Sequence, residues 1–219
     1  MHVAAERRSA LQLGAMETPS ILIIGNDSQA GTYILRIRLK ENTTLKFGGF
    51  KKGKLVSLPA GDYVYIGSAL SEKGSTSLAR RLIRHATRSG DKPQHAIREA
   101  MVKQFHNCGL RPSDPLPKNG KKLFWNVDFL LDLPSVELVN IFAIRSSERL
   151  ENRLAKQLER DPHTEIIERG LGANDVPGAT HLLRIRADKI WWVSFTDKVR
   201  AVLEDSTLNQ TNDAESRIS

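Results

Sequence analysis

Alternation of apolar side chains with arginines across residues 31–40 limits the possible folds of this chain more than any other feature. The stretch reads GTYILRIRLK, and its apolar side chains Tyr33, Leu35, Ile37 and Leu39 alternate with Arg36 and Arg38. Successive side chains of a β-strand point to opposite faces, so this pattern predicts a strand with one buried face. Shorter apolar stretches at 43–47, 55–58 and 62–69 follow, separated by turns rich in Gly and Pro. Residues 31–69 therefore predict an antiparallel β-meander.

Two helical patterns follow the meander. Ser75 or Thr76 can cap the first helix and Gly90 can end it, because hydroxyl side chains favour helix starts and glycine favours helix ends. Its apolar side chains recur at helical spacing, at Leu78, Leu82, Ile83 and Ala86. The second pattern has its apolar side chains at Ile97, Met101 and Phe105. Both segments are predicted to be helices.

The second half of the chain contains further strand and helix patterns. Residues 136–144 predict a buried strand, and residues 150–158 predict a helix that starts after Ser146 or Ser147. The apolar residues 124–131 fit either type. A glycine-rich loop then leads into a predicted hairpin, residues 181–186 with 190–195. We therefore expect an α+β fold, a small antiparallel central sheet flanked by helices, with an N-terminal β-meander and a C-terminal β-hairpin.

The two ends and one internal segment lack regular patterns. Residues 1–20 and 206–219 have no periodic apolar face, so we expect a disordered N-terminal leader and a disordered tail around one domain of residues 21–205. The string RPSDPLPKNGKK ends at Lys122 and contains too much Pro and Gly for regular structure. We interpret residues 91–122 as a basic, mobile insertion.

Positive charge is concentrated in one part of the chain. Residues 31–125 contain 19 Lys and Arg against 6 Asp and Glu, whereas the remaining residues contain 14 against 19. A basic surface attracts polyanions, because each neutralised phosphate releases condensed counterions. Nucleic acid, DNA rather than RNA, is therefore the expected partner, and no membrane partner is expected. A charged face that only confers solubility fits the same count.

Cysteine content and hydropathy exclude other classes of protein. Cys108 is the one cysteine of the chain, which excludes an intramolecular disulfide framework and a multi-thiolate zinc site. A reducing compartment, the cytoplasm, is the expected location. The longest purely aliphatic run, Ile21 to Ile24, is far short of the ~20 residues that span a bilayer. The N-terminus also lacks the apolar stretch of a secretion signal.

Five side chains that can support acid–base or phosphate chemistry occur along the chain. They are Tyr33 and Tyr65 on predicted strands, Arg81 and His85 on a predicted helix, and Glu151 on a later helix. Each also has an ordinary structural interpretation: the tyrosines as core aromatics, the helix pair as a solvated face, and the glutamate as an exposed carboxylate. Glu151 has no basic residue three or four positions away on its own helix, which favours a role in a site.

These residues lie in strings that together resemble a known superfamily. The strings extend from Gly31 to Ile185 and read GTYILRIRL, LPAGDYVYIGSAL, LARRLIRH, WNVDFLL, ENRLAKQL and GLGANDVPGATHLL. They resemble the GIY-YIG nuclease superfamily, and in detail the uncharacterised GIY-YIG-like family found alone or fused to glycosylases of the endonuclease III type. The resemblance implies a GIY-YIG-like central sheet and metal-dependent hydrolysis of phosphodiester bonds.

The resemblance also implies a role for each of the five residues. Tyr33 and Tyr65 are the paired tyrosines, Arg81 is the catalytic arginine, His85 is the helix histidine and Glu151 is the metal-binding glutamate. A hydrogen-bonded tyrosine can take or relay a proton, and the planar fork of an arginine can hold the scissile phosphate. One carboxylate can suffice for Mg²⁺, or for Mn²⁺ in its place, since magnesium keeps several of its waters.

Three departures from the family pattern accompany the resemblance. Asn126 replaces the usual histidine in the WNVD string, so a proton transfer at that position is in doubt. Asn152 replaces a common cysteine and the glycine-rich loop has no cysteine, so no cysteine-dependent metal or redox role is expected. Residues 91–122 are an insertion. Secondary site candidates are Gly31, Gly67, Asn126, Asp128 and His181.

Several further residues are candidates for contact with nucleic acid. The basic ones are Arg80, Arg84, Arg88, Lys121 and Lys122. Trp191 and Trp192 can stack on bases, although adjacent residues of a strand point to opposite faces.

The sequence thus predicts a metal-dependent endonuclease that acts through paired tyrosines, an arginine and a magnesium-binding glutamate. One alternative is a catalytically inactive nucleic-acid-binding module of the same fold, motivated by Asn126 and Asn152. Another alternative is a protein-interaction domain without affinity for nucleic acid.

Overall fold

A computed structural model describes residues 20–110, 120–173 and 178–215, with side chains described as far as Leu203. The residues that the structure describes form two compact units, one of residues 20–186 and one that begins at residue 187. The first unit contains both sheets. Of the second unit, the structure describes one helix.

The described residues form eight strands. In chain order the strands are β1 (Ile21–Gly25), β2 (Gly31–Leu39), β3 (Thr43–Lys46), β4 (Leu55–Leu58), β5 (Gly61–Ala69), β6 (Val136–Arg145), β7 (Thr164–Glu165) and β8 (Leu182–Ile185). Six of them form one mixed sheet in the order β1-β6-β2-β5-β8-β7, and β3 and β4 form a separate two-stranded sheet. The α+β class is confirmed. The expected small antiparallel sheet is wrong in detail, because β1 joins β6 in parallel. That pairing depends on residues far apart in the chain.

Five α-helices lie within the described residues. They are α1 (Leu78–His85), α2 (Ile97–Asn107), α3 (Asn126–Leu131), α4 (Glu151–Glu159) and α5 (Lys189–Glu215). Apolar side chains of α1, α2 and α3 form one buried cluster with the face of β2 and β5 that carries Tyr33 and Tyr65. Helix α4 packs against β5. It lies on the opposite face, since Leu150 N donates to Oγ1 of Thr32, whose side chain points away from that of Tyr33.

The predicted N-terminal meander is wrong, although its strands exist. Strand β2 pairs along its whole length with β5 on one edge and with β6 on the other. No edge of β2 is then left for β3, so β3 and β4 pair with each other instead. Alternation predicts which segments are strands, but it does not predict which strands are neighbours.

The predicted C-terminal hairpin is also wrong in its second half. Residues 182–185 form β8, but residues 190–195 lie in helix α5. Strand β8 already has β5 and β7 on its two edges, so no edge remains for a hairpin partner. Asp188 starts the helix by accepting a hydrogen bond from Trp191 N (3.0 Å). Trp191 stacks on Phe195 with ring centroids 5.0 Å apart, which is the contact that helical spacing allows.

Other predicted segments differ in outcome. Helix α2 confirms the helix predicted from Ile97, Met101 and Phe105, all of which are buried. It lies inside the segment interpreted as an insertion, whose residues 111–119 are outside the described part, as are residues 1–19 and 216–219. Helix α5 continues past position 206, where a tail was expected, to Glu215. Within the described ranges, no helix is both long and apolar enough to cross a membrane.

Candidate functional site

The paired strands β2 and β5 bring Tyr33 and Tyr65 close together. Strand register sets Tyr33 opposite Gly67 and Leu35 opposite Tyr65, so both phenol rings project from one face of the sheet. Gly67 is required there, because a Cβ at that position would lie 2.5 Å from the hydroxyl and Cζ of Tyr33. The ring of Tyr33 therefore lies across the backbone of Gly67. The ring centroids of Tyr33 and Tyr65 are 6.2 Å apart.

Tyr33 is hydrogen-bonded to His85, which helix α1 holds over the sheet. The Tyr33 hydroxyl lies 2.9 Å from His85 Nε2, and both side chains are buried. Burial lowers the pKa of His85 to about 4, so its ring is neutral near neutral pH. Burial and the neighbouring Tyr65 raise the pKa of Tyr33 well above its ordinary value. Tyr33 is thus a phenol, and a neutral His85 can accept its proton.

Asp128 completes this arrangement behind His85. Its Oδ1 lies 3.5 Å from His85 Nδ1 and 3.4 Å from Lys121 Nζ, while Oδ2 accepts a hydrogen bond from Arg84 (2.8 Å). Burial alone would raise the pKa of Asp128, but His85, Lys121 and Arg84 hold that pKa well below its usual range. An ionised carboxylate facing Nδ1 favours the tautomer with its proton on Nδ1. That tautomer leaves Nε2 as the acceptor for Tyr33.

Arg81 lies one helical turn before His85, and its side chain turns towards a cavity. Its guanidinium carbon lies 4.5 Å from the ring centroid of Trp125, a cation–π contact that fixes the plane of the fork. The residue is 9 % exposed. Among the described residues, no side chain or carbonyl accepts a hydrogen bond from this guanidinium. A guanidinium that lines a cavity without a protein acceptor marks a position suited to an anion, whose oxygens supply the acceptors.

Glu151 lies on the face of the sheet opposite to that of Tyr33. It is the first residue of α4 and is buried, with its Oε1 3.0 Å from His181 Nδ1 and its Oε2 hydrogen-bonded to the hydroxyl of Ser68. Burial alone would raise the pKa of Glu151, but His181, Ser68 and the nearby Arg149 lower it below its usual value. Glu151 is therefore an ionised carboxylate near neutral pH.

These groups line one cavity of about 210 Å³, which we call the Tyr–Arg cavity. Its walls are Tyr33, Tyr65, Ser68, Ala69, Leu70, Arg81, Trp125, Arg149, Glu151 and Gly172. The cavity lies where β5 extends beyond its pairing with β8, which ends at Tyr65. At this end of the sheet, side chains from the two faces meet. His85 lies behind Tyr33 and His181 lies behind Glu151.

The five side chains that the sequence singled out therefore converge. Four of them line the Tyr–Arg cavity and the fifth, His85, contacts Tyr33. Of the secondary candidates, Asp128, His181 and Gly67 support these side chains directly. Gly31 has a packing role, because a Cβ there would lie 2.1 Å from the carbonyl oxygen of Ile144. Asn126 is buried and lines a different groove.

Two of the five basic residues predicted to contact nucleic acid are in the interior, so that prediction is wrong for them. Arg88 is 6 % exposed and donates to the carbonyl groups of Pro93 and Val136 and to Glu137. Lys121 has a buried side chain that donates to Thr87 O (2.8 Å). A run of arginines at helical spacing does not show which members turn inward. Arg80 and Arg84 are half-buried, and Lys122 is exposed.

The two tryptophans considered for base stacking are also buried. Trp191 and Trp192 lie next to each other on helix α5 with ring centroids 4.8 Å apart, and neither is more than 7 % exposed. Their expected placement on opposite faces of a strand is wrong, because the segment is a helix.

Sequence reasoning missed some residues that complete the site and the contacts of others. Trp125 was not singled out, although it belongs to the WNVD string. Asp128 was a secondary candidate, but nothing local indicates that it faces His85. Ser68 and Gly172 also line the cavity without having been singled out. Only Ser68 could have been suspected from the sequence, because it directly follows the candidate Gly67.

The Tyr–Arg cavity has one carboxylate in its wall, that of Glu151, and a carboxylate is the type of ligand that Mg²⁺ takes. Magnesium is held by one or two carboxylates and keeps several waters, and Glu151 offers an ionised carboxylate beside the hydroxyl of Ser68. Within the part of the chain that the structure describes, no three His, Cys, Asp or Glu side chains cluster as a cage for a metal ion. A cage of the kind that holds structural zinc would need such a cluster.

Comparison with known proteins identifies the family of the chain. The family model described as "Domain of unknown function DUF123" matches residues 32–203, and the chain therefore belongs to this family. The resemblance to the GIY-YIG nuclease superfamily is wrong as a family assignment, because this match identifies a distinct family. No curated protein and no solved structure matches the chain.

Proposed function

We propose that this member of the DUF123 family hydrolyses phosphodiester bonds in nucleic acid, with the scissile phosphate bound in the Tyr–Arg cavity. Arg81 is the observation that carries the proposal. The residue is 9 % exposed and lines the cavity, and its guanidinium has no protein acceptor among the described residues. A phosphate supplies the oxygen acceptors and the negative charge that such a fork needs.

The hydrogen-bonded chain behind the cavity supports acid–base chemistry. A water that attacks the phosphate gives its proton to the Tyr33 oxygen as Tyr33 passes its own proton to His85 Nε2. Asp128 stabilises the imidazolium that forms, since its carboxylate faces Nδ1. Tyr33 is thus the group that touches the reacting atoms, and His85 holds the proton only transiently, because its pKa is about 4. The water oxygen bonds to phosphorus as the bond between phosphorus and the departing oxygen breaks. Tyr65, on the same wall of the cavity, is assigned to donate a hydrogen bond to the departing oxygen, which takes a proton from solvent as His85 releases its own.

Glu151 is the residue assigned to hold a divalent cation. A bound Mg²⁺ or Mn²⁺ would neutralise charge on the phosphate oxygens and lower the pKa of a bound water. Ser68 and His181 orient the carboxylate, as the second layer of residues around a metal site commonly does.

Incubation of the protein with nucleic acids in Mg²⁺ and in Mn²⁺ tests this proposal. Substrates are single-stranded, duplex, flapped and branched DNA, and RNA. We expect cleavage that depends on the metal and that Glu151→Gln reduces at least 100-fold, on the scale of mutations that remove transition-state stabilisation (about 10²–10³). The matched control is Glu99→Gln on the exposed side of α2, which should cleave at the wild-type rate. Cleavage by Glu151→Gln at the wild-type rate would exclude the assigned role.

A nucleic-acid-binding module without turnover is the second candidate, and one observation favours it. Both oxygens of Glu151 already face protein groups, Oε1 towards His181 and Oε2 towards Ser68. A metal would then compete with these contacts. Binding that weakens steeply with salt and is never followed by cleavage, in either metal, would favour this candidate over hydrolysis.

A further inference from the structure

A second depression lies beside the Tyr–Arg cavity. We call it the phenylalanine groove; it has a volume of about 630 Å³ and is lined by Phe50, Phe124, Phe129, Lys51, Gly48 and Gly170, among others. Clefts of about 300–1,000 Å³ are the usual size of sites for small organic groups. Phe124 is 71 % exposed, whereas the other two phenylalanines are half-buried against the core.

Two short segments of chain line both the groove and the cavity. Trp125 lines the cavity and the preceding Phe124 lines the groove, with ring centroids 5.0 Å apart at an interplanar angle of 83°. Gly172 lines the cavity, and Gly170, two residues earlier, lines the groove. The groove therefore adjoins the cavity along both segments, and Arg81 lines that cavity.

The exposed ring is held in position by the same carboxylate that orients His85. Asp128 Oδ2 accepts hydrogen bonds from the backbone N–H groups of Phe124 and Trp125, both at 3.1 Å. The ring of Phe129 packs against Gly48, where a Cβ would lie 2.9 Å from the ring. Both rings are thus attached to ordered backbone, which lowers the entropy lost when a flat group binds between them.

Charge around the groove favours a polyanion. Lys51 and Lys54 form ion pairs with Glu168, so their two positive charges share one negative charge. Lys52 follows Lys51 in the chain, and Lys122 lies two residues before Phe124. Both are exposed and add positive charge. Aromatic rings together with lysines are the combination that binds single-stranded nucleic acid, through base stacking and phosphate contacts.

We propose that the phenylalanine groove holds the unpaired base of a nucleotide adjacent to the scissile phosphate, so that the substrate is nucleic acid with single-stranded character at the cleavage point. This inference rests on the proposed function for the position of the phosphate. It goes beyond that function by assigning the substrate class and the residue, Phe124, that recognises it. A base inside a duplex is stacked between its neighbours and cannot contact Phe124.

Fluorescence anisotropy without added metal tests the groove separately from hydrolysis. The probes are a labelled single-stranded oligothymidylate, an abasic strand of the same length and charge, a duplex of that length and an oligouridylate that distinguishes RNA from DNA. Phe124→Ala should weaken binding of oligothymidylate about 5- to 150-fold, the equivalent of one base–aromatic stack of about 1–3 kcal/mol. Its affinity for the abasic strand should not change, and Phe124→Tyr should bind like the wild type. Leu55→Ala is the matched control, because Leu55 is an exposed apolar residue (64 %) outside the groove.

The outcomes separate the two proposals. Loss of base-dependent binding in Phe124→Ala supports the groove even if cleavage is never observed with any metal. Equal losses for oligothymidylate and the abasic strand, or no loss for either, overturn the groove even if the protein cleaves DNA. A wild-type protein that binds none of the probes at low salt also overturns the groove and indicates a protein partner for Phe124.

Discussion

At the scale of single residues, the proposal depends most on the hydroxyl of Tyr33. Tyr33→Phe removes the proton relay but keeps the ring over Gly67, so cleavage should fall about 10²- to 10⁴-fold. The free energy of unfolding should fall by about 1–3 kcal/mol, because His85 Nε2 loses its buried partner. Tyr63→Phe is the matched control, since Tyr63 is also buried on this sheet face but its hydroxyl donates to Pro59 O. That variant should lose about 0.5–1.5 kcal/mol of stability and no activity. Equal activity in the two variants would remove Tyr33 from the mechanism.

Gly67 provides a second test at this scale. Gly67→Ala places a methyl group 2.5 Å from the Tyr33 hydroxyl, so the ring must move away from His85. We expect a loss of about 1–3 kcal/mol in the free energy of unfolding, as for other overpacked sites, together with a loss of cleavage. Gly49→Ala should be neutral in both, because a Cβ there meets nothing within 4 Å. Circular dichroism melts and the cleavage assay measure the two effects.

Burial of neutral His85 predicts a loss of stability in acid. Its pKa is about 4 in the folded chain, against an ordinary value near 6.5, so the unfolded chain binds the proton first as the pH falls. The contribution of neutral His85 to the free energy of unfolding is complete above pH 6.5. It is lost progressively as the pH falls towards 4, by about 3 kcal/mol in all. Denaturant unfolding at several pH values measures it. His85→Gln should show a shallower pH dependence than the wild type, although not a flat one, because burial also lowers the pKa of His95 to about 4.

At the scale of elements, the sequence predicts which segments are strands better than it predicts which strands pair with each other. Alternation across residues 31–40 predicts one strand and the face that carries Tyr33, and the apolar stretch 62–69 predicts another strand. The structure has both strands, as β2 and β5. Alternation does not indicate that β6 occupies the second edge of β2, or that β8 has both edges filled. Those facts depend on contacts between distant parts of the chain, so the meander and the hairpin were predicted wrongly.

Helix α3 shows that contacts between distant residues of the site are also not predicted by the sequence. The apolar residues 124–131 fitted either a strand or a helix, and the choice places Asp128 in the interior beneath Lys121, Arg84 and His85. A buried carboxylate with several cationic neighbours cannot be inferred from residue types alone. The five predicted side chains could be found from sequence, whereas the contacts that orient them could not.

The Asp128 network therefore supplies the prediction at this scale. Asp128→Asn leaves Lys121 as a buried charge without its carboxylate, and should reduce stability by about 3–5 kcal/mol. Asp91→Asn, at an exposed position, is the control and should stay within about 0.5 kcal/mol of the wild type. Combining Asp128→Asn with Lys121→Met should cost less than the sum of the single changes, by about 0.5–3 kcal/mol. Strict additivity in this double-mutant cycle would show that the two side chains are not coupled.

At the scale of the whole molecule, the concentration of positive charge in residues 31–125 does not translate directly into a binding surface. Part of that charge is internal, as Arg88 and Lys121 show. Lys122, in contrast, is exposed. A net-charge count therefore overestimates the charge that is available to a polyanion.

A pair of substitutions separates the two kinds of basic residue. Lys122→Ala should weaken nucleic-acid binding and reduce the slope of log affinity against log salt by about 1, with stability unchanged. Arg88→Ala should instead lower the free energy of unfolding, because it removes a buried donor to Pro93 O and Val136 O. Salt titrations and denaturant unfolding of both variants give the comparison. A reversed result, with stability lost in Lys122→Ala alone, would contradict the burial described above.

The central claim is that Arg81 binds the scissile phosphate, and the cleavage rate of Arg81→Ala tests it most directly. The measurement is made on the best substrate of the wild-type protein, at equal metal and salt, after a melt has shown that the variant is folded. We predict a fall of at least about 100-fold in Arg81→Ala, with only partial recovery in Arg81→Lys, because lysine keeps the charge but not the planar fork. A folded Arg81→Ala protein that cleaves at the wild-type rate would contradict the claim.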